Sequence, residues 1–177
     1  MEVWDQIRRD PVSGAKALVD GYGGRLFRTA YRLCSNEATA EDLTLKTIAQ
    51  AVRCIDQFGE NVSFFGWLCA ILANFHRMEL RKKGANALCF VDELPEMADE
   101  RPDPAEVLDI NTNAEAVRAA VEKLSPALRE AVVFRYFDEL PEAEIAVALG
   151  ISVGAVKVRL HAARRKLKEI LSLTFSG

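Results

Sequence analysis

Residues 140–168, L-P-E-A-E-I-A-V-A-L-G-I-S-V-G-A-V-K-V-R-L-H-A-A-R-R-K-L-K, leave the chain little freedom in how to fold. Ile145 and Leu149 lie one helical turn apart and share a face. Pro141 suits the first turn of that helix, where a missing N–H costs nothing. Gly150 supplies the left-handed residue that ends a helix, and Ser152 offers a hydroxyl to cap the next one. In the second helix Val156, Leu160, Ala163 and Leu167 form one apolar stripe, while Lys157, Val158, Arg159, His161, Ala162 and Arg165 lie off it.

The second helix is also segregated by charge. Ile151 to Lys168 holds six Lys or Arg and no Asp or Glu, in a chain of net charge −3. A phosphate backbone is the natural counterpart of such a face. The apolar stripe can pack on the first helix while the basic face meets a DNA groove, which is the helix-turn-helix arrangement. By spacing alone, a helical hairpin with a solvated basic face fits equally well.

Charge divides the chain into three zones. Residues 1–87 hold 12 basic and 10 acidic residues, and residues 113–177 hold 10 basic and eight acidic. Between them, residues 88–112 hold one basic residue, Arg101, against eight acids, with Pro95, Pro102 and Pro104. Proline and like-charge repulsion oppose compact structure there, so this stretch reads as an extended acidic linker.

The two flanking zones are helical in pattern. Residues 12–34 read as one helix or a pair, with Leu18, Val19, Tyr22, Leu26, Ala30 and Leu33 on the buried side. A second helix over about 37–57 carries the stripe Ala40, Leu43, Thr44, Thr47, Ile48, Ala51, Val52 and Ile55, with Thr39 and Asp42 as a candidate capping box. A third follows Ser63 and runs to about Lys83, with Phe64, Trp67, Leu68, Ile71, Leu72, Phe75 and Met78 along one side. Its cationic end, Arg81-Lys82-Lys83, meets the negative end of the helix dipole before Gly84 stops it. Residues 113–123 and 127–138 are also helical, the latter started by Ser125-Pro126. No strand pattern competes. The expected fold class is all-α, with small helical domains over 1–87 and 113–177 joined by the linker.

Half of the residues are apolar, enough for real cores. No run of about 18 apolar residues predicts a membrane span, and the N-terminus lacks the apolar core of a signal peptide, so a cytosolic protein is expected. Cys34, Cys54, Cys69 and Cys89 contain no C-x-x-C, and with His76 and His161 as the histidines the chain disfavours a zinc site. The first three cysteines read as small apolar fillers, and Cys89 lies beside the linker. No Gly-rich phosphate loop, metal-ligand set or nucleophile–base pair is present, so neither a catalytic residue nor a cofactor is expected.

The string around the turn resembles region 4.2 of extracytoplasmic-function (ECF) sigma factors, the small bacterial promoter-recognition subunits of RNA polymerase. The family's pattern is close to E-E-I-A-x-x-L-G-I-P-x-G-T-V-K-S-R-L-x-R-A-R-x-x-L. The chain matches it at Glu144, Ile145, Ala146, Leu149, Gly150, Ile151, Gly154, Val156, Lys157, Arg159, Leu160, Ala163, Arg164 and Leu167. Upstream, Tyr31, Arg32, Asn36, Ala40, Glu41, Asp42 and Leu43 resemble sigma region 2. Phe58, Phe64, Trp67, Leu68, Ile71, Ala73 and Asn74 continue that resemblance, followed by Arg77, Arg81, Lys82 and Lys83. Both modules stand in the family's order, and together they span nearly the whole chain.

The resemblance implies a helical region 2 that binds the β′ clamp helices of core RNA polymerase and holds the melted −10 element. It implies a region 4 that binds the β flap and reads the −35 element. Phe64, Asn74 and Phe75 are then candidates for capturing unstacked bases, with Phe65 beside them, and Arg77, Arg81, Lys82 and Lys83 for holding the backbone. Trp67 reads better as core packing. Lys157, Val158, Arg159, His161 and Ala162 are the candidates for the −35 groove, and Arg164, Arg165 and Lys168 for phosphates. Glu41, Asp42, Leu45, Lys46 and Asp56 form the patch expected to meet polymerase. An anti-sigma factor is an expected partner, and the linker is expected near the RNA exit path.

Departures from the pattern are specific. The family's Q-E is Leu45-Lys46, a charge reversal, and the usual Phe after it is Ile48. F-R-G is Phe58-Gly59-Glu60, and F-x-T-W is Phe64-Phe65-Gly66-Trp67, which places a glycine in the first turn of a helix. Ala155, Val158 and Ala162 replace the frequent Thr, Ser and second Arg, so methyl contacts to thymine replace polar ones. Two other functions remain open on these residues: a sigma-like mimic that captures an anti-sigma factor without polymerase, and a stand-alone helix-turn-helix regulator.

Overall fold

The computed structural model describes residues 1–59, 61–84 and 114–176, and among them no strand occurs. The N-terminal half comprises α1 (Val3–Arg9), α2 (Pro11–Leu18), α3 (Gly24–Cys34), α4 (Glu37–Arg53) and α5 (Phe64–Lys82). The C-terminal half comprises α6 (Ala114–Glu122), α7 (Pro126–Val132), α8 (Glu142–Leu149) and α9 (Val153–Phe175). The acidic stretch 88–112, Cys89 and Glu60 lie outside the described residues.

Local chemistry sets most of the boundaries. Asp10 caps α2 by accepting from the Val12 N–H, with Pro11 at the first helical position. Residues Val19–Gly23 form a π-helical turn that carries α2 into α3 without a break. The wider turn adds a residue and rotates the helix face, which leaves Val19 48% exposed where helical spacing alone puts it inside. Asn36 caps α4, its Oδ1 accepting from Thr39 N–H at 2.8 Å. The expected Thr39–Asp42 capping box therefore does not form, because Thr39 already lies within the helix. Ser63 caps α5 through the Gly66 N–H at 3.0 Å. Pro126 opens α7, but the Ser125 side chain makes no cap hydrogen bond.

The core is continuous through both halves. Leu18, Leu26, Leu33, Leu43, Leu68 and Leu72 are buried in the first, Phe134, Ile145, Val156, Leu160 and Leu167 in the second, and all belong to one apolar cluster. This explains a correction to α5. Spacing gives it one buried stripe ending in Met78, yet Met78 is exposed, Trp67, Ile71 and Phe75 are half-buried, and Phe65, Cys69 and His76 are buried instead. One side of α5 packs on α3 and α4, and another packs on α8.

Polar side chains line the seam between the halves. Thr29 Oγ1 donates to Asp138 Oδ1 at 2.8 Å, and Arg25 donates to the Asp138 carbonyl at 2.8 Å. Asp138 follows a second π-helical turn, Val133–Phe137, and is 3% exposed. Burial raises its carboxyl to about 6 against the lowering pull of Thr29 and Arg25. Glu130, fully buried on α7, faces His76 Nδ1 and Arg77 Nη2, each at 3.4 Å. Glu144 at the start of α8 accepts from the Ser63 N–H at 3.0 Å and from the Ser63 hydroxyl at 2.5 Å.

Candidate nucleic-acid interface

The turn between α8 and α9 is built as its residues require. Gly150 takes φ +66°, the Ile151 N–H donates to Ala146 O at 3.0 Å, and the Gly150 N–H donates to Val147 O at 3.3 Å. These two bonds close the end of α8 as a Schellman motif, which a side-chain-bearing residue at 150 would strain. Ser152 then caps α9, its Oγ accepting from the Ala155 N–H at 3.1 Å. Pro141 occupies the N-cap position itself, one residue earlier than spacing suggests.

The predicted stripe on α9 is the observed one: Val156, Leu160, Ala163 and Leu167 are buried. The residues expected at the −35 groove divide into two groups. Lys157, Arg165 and Lys168 are exposed, whereas Val158, Arg159, His161, Ala162 and Arg164 are partly covered. Arg164 donates to the Tyr136 hydroxyl at 2.9 Å, which ties its guanidinium to the domain's own scaffold. The outward face of α9 thus presents a cation at Lys157 beside the half-covered methyls of Val158, followed by the exposed cations Arg165 and Lys168 more than two turns on.

On the N-terminal half, Asn74 is exposed on α5 and lines a cleft of about 420 Å³ with Trp67, Phe75, Met78, Gln50 and Gln57. One wall is amide-bearing and the other is aromatic, a lining able to stack a flat heterocycle and hydrogen-bond its edge. Sequence reasoning found Asn74 and Phe75. It missed Gln50 and Gln57, although they stand about two turns apart at the end of α4 and the following 3₁₀ turn, Ile55–Gln57, pointing toward the same side. Trp67 packs against Phe58 and Phe64 as the core reading expects, and its half-exposed ring also lines the cleft.

Phe64 is placed differently from the expectation. It is buried in an aromatic cluster with Trp4, Tyr22, Phe58 and Trp67, at centroid distances of 5.3, 5.3, 5.1 and 5.8 Å. A ring held on so many sides offers no face to a base. Phe65 is buried as well, under the Arg25 guanidinium at 3.6 Å. Arg81, Lys82 and Lys83 are exposed beyond the cleft. Arg77 is turned away from them, into the seam, where it donates to Leu149 O at 3.3 Å.

On α4, Glu41, Asp42 and Leu45 are exposed, as is Asp56 in the 3₁₀ turn, with Leu45 66% exposed. Lys46 is not a bare cation on this surface. It pairs with Asp42 Oδ2 at 2.7 Å and Glu79 Oε1 at 3.4 Å, and the Asp42 hydrogen bond holds its ammonium above the usual lysine range. Among the described residues no group of His, Cys, Asp or Glu is arranged to hold a metal ion, and no single helix is long and apolar enough to cross a membrane.

Comparison with known proteins gives a consistent picture. Residues 18–86 match the model of Sigma-70 region 2, and residues 114–167 match that of Sigma-70, region 4. The ECF RNA polymerase sigma factor SigE of Mycolicibacterium smegmatis is 32% identical over 97% of the chain, which spans 63% of that protein's length. RNA polymerase sigma factor CarQ of Myxococcus xanthus is 30% identical over 79% of each chain. Among solved structures, the sigma factor RpoE in complex with the anti-sigma factor NepR, from Bartonella quintana, superposes with a TM-score of 0.66 at 25% identity, covering 89% of this chain and 96% of that one.

Proposed function

The chain belongs to the sigma-70 family of RNA polymerase sigma factors, in its extracytoplasmic-function group. On that premise we propose that it binds core RNA polymerase in the cytoplasm and directs initiation at promoters carrying its own −10 and −35 elements. The domain limits proposed are 1–87 for region 2, 88–112 for the linker and 113–177 for region 4. The observation that carries this is the pairing of two unlike surfaces on the two modules. Region 2 bears a cleft with Asn74 at its rim, and region 4 bears an exposed cationic helix with no acid before Glu169.

Each surface suits one form of DNA. Unpaired bases can stack against Trp67 and Phe75 while Asn74 reads an edge, and Arg81, Lys82 and Lys83 hold the strand. Duplex DNA at −35 meets Lys157 and Val158 in the major groove, with Arg165 and Lys168 on phosphates. Polymerase supplies the chemistry, so the chain needs no catalytic group. The acids Glu41 and Asp56 and the apolar Leu45 form the proposed polymerase contact. Neutralisation of Lys46 by Asp42 and Glu79 favours this over an inert mimic, because the charge reversal is absorbed within the fold. An anti-sigma factor is proposed as a partner by analogy with the RpoE–NepR complex. Run-off transcription with purified core polymerase tests the assignment: promoter-dependent transcripts are expected, and their absence together with capture of an anti-sigma factor would favour the mimic.

A further inference from the structure

A cavity of about 280 Å³ opens between α3, α6 and the second π-helical turn. None of its lining residues lines the Asn74 cleft or lies on α9, so it is separate from both surfaces assigned to DNA. Its bed is aromatic. Phe27 and Tyr31 stand one turn apart on α3 and stack on each other, with centroids 6.3 Å apart and planes 23° from parallel. Phe137, the last residue of the π-helical turn, lines the cavity with them. Phe27 and Phe137 are partly buried and Tyr31 is exposed, so ring area is left facing the cavity.

Three arginines surround this bed. Arg28 and Arg32 are one turn apart on α3, and Arg118 comes from α6. Among the described residues that line the cavity the one acid is Glu122, and no described carboxylate lies within ion-pair distance of any of the three guanidiniums. Arg32 sits over the Phe137 ring at 4.5 Å, which sets the plane of the guanidinium and leaves its N–H edge able to donate. Burial holds Arg32 below the usual arginine range; Asp138 raises it, and the like charges of Arg28 and Arg118 lower it further. It stays protonated, as arginines do. Three cations gathered around one apolar hollow repel one another, and an anion seated among them relieves the repulsion.

The two halves of the lining together narrow the ligand. A purely apolar molecule would leave the cations without partners, and a small inorganic anion would leave the aromatic bed bare. A flat ring carrying an anionic arm satisfies both. The volume stands at the lower end of small-ligand cavities, which span roughly 300–1,000 Å³, and so suits one nucleotide rather than two.

We propose that this cavity binds a nucleotide carrying two or more phosphates, its base against Phe27, Tyr31 and Phe137 and its phosphates on Arg28, Arg32 and Arg118. Guanidiniums pair with phosphate oxygens through forked, charge-assisted hydrogen bonds. Stacking needs only the face of a base, so the site distinguishes weakly between purines. The site is independent of the sigma-factor reading, since none of these six residues serves the −10, −35 or polymerase surfaces.

Calorimetric titration of the full chain with guanosine 5′-diphosphate (GDP) and adenosine 5′-diphosphate tests this. Both are expected to bind, and to raise the melting temperature as their concentration rises. Guanosine, which lacks the phosphates, and inorganic diphosphate, which lacks the ring, should each bind at least about tenfold more weakly than GDP. Arg28→Ala and Arg118→Ala remove exposed side chains, so both variants should fold, which circular dichroism checks. Each should weaken GDP roughly tenfold, and Arg32→Lys, which keeps the charge but loses the fork, should weaken it as well. Failure of both nucleotides to bind at millimolar concentration overturns the site. GDP binding that survives Arg28→Ala and Arg118→Ala, or that falls as far with Arg165→Ala on α9, places the nucleotide elsewhere and overturns it too. Inorganic diphosphate binding as tightly as GDP removes the role of the aromatic bed and overturns the nucleotide class.

Discussion

Glu144 lies against Gly66 across the seam, so close that a β-carbon on residue 66 would overlap its carboxylate. The same carboxylate takes two bonds from Ser63, which caps α5 through the Gly66 N–H. Gly66→Ala should displace the flexible Glu144 carboxylate and so cost the two Ser63 bonds, about 1 kcal/mol, which the better helix propensity of alanine partly offsets. The loss should largely vanish when Glu144→Ala is present, since the clash partner is then gone. Chemical denaturation of the four proteins gives the coupling directly, and equal losses in both backgrounds would mean that the glycine serves α5 alone.

The glycine also shows where sequence reasoning stopped. Region 2 proteins commonly carry Thr at this position, and a glycine in a helix's first turn looks like a mild defect when α5 is considered by itself. In the folded chain the space a β-carbon there would need is taken by Glu144, 78 positions away in sequence. Elements set by local chemistry were legible: the Gly150 turn, the Ser152 cap and the Val156–Leu160–Ala163–Leu167 stripe all form as periodicity and capping require. That Asn74 stands outside the core was legible, because a buried amide on an apolar helix needs a partner; it is exposed on the rim of the cleft. What escaped were contacts between halves. Phe65, Cys69 and His76 break the single-stripe pattern of α5 because a second module covers them, and Arg77 reads as a free cation until Glu130 is placed beside it. Periodicity describes one helix against one core and carries no term for a second.

Asp138 should make the docked state sensitive to pH. Its carboxyl titrates near 6 in the seam, raised above an ordinary aspartate first by burial, and only partly offset by Thr29, Arg25, Arg32 and Arg28; Cys69, buried nearby on α5, faces it as a neutral thiol pushed well upward. A raised folded-state value means that the closed state takes up a proton. Its contribution is fully present below about 3.8, the ordinary value, and is lost as pH rises through about 6. The span of that loss is at most ~3 kcal/mol. The chain should therefore be more compact at pH 5 than at pH 7.5 by scattering, and Asp138→Asn should stay compact at both. A wild type whose size does not respond to pH across this window would exclude Asp138 as the titrating group.

Lys46→Glu restores an acid at the polymerase-facing patch. It also removes the shared cation of Asp42 and Glu79 and sets three carboxylates together. Because Asp42 is exposed and Lys46 is partly so, solvent screens much of the repulsion, and little change in melting temperature is expected. Affinity for core polymerase, followed by fluorescence anisotropy of the labelled chain, should rise. Weaker binding would mean that Leu45 and Lys46 together make a contact particular to this chain's own polymerase.

Asn74→Ala should lower open-complex formation and leave attachment at −35 in place. The side chain is exposed on the rim of the cleft, so its removal costs the fold little, while a captured base loses the amide that reads its edge. Loss of one such contact, together with reduced stacking in the cleft, corresponds to about 1–3 kcal/mol, or roughly a fivefold to 150-fold fall in open complexes. Permanganate reactivity of the melted strand reports this separately from duplex footprinting at −35. A variant that melts promoters like the wild type would move base capture away from this cleft.

The basic face of α9 can be divided by salt. Arg165 is exposed and one turn beyond the first two turns of the helix, the turns that enter a groove, so it is assigned to phosphate. Arg165→Ala should weaken duplex binding at every −35 sequence alike and reduce the slope of log affinity against log salt by about 0.9. Lys157 is exposed near the start of α9, where recognition helices meet base edges. Lys157→Ala should cost about 1–3 kcal/mol at the preferred sequence and relax discrimination at one base pair. Polymerase-bound chain titrated with wild-type and single-substitution −35 duplexes at several salt concentrations separates the two. If both variants change only the salt slope, α9 holds the backbone throughout and sequence is read through DNA shape instead.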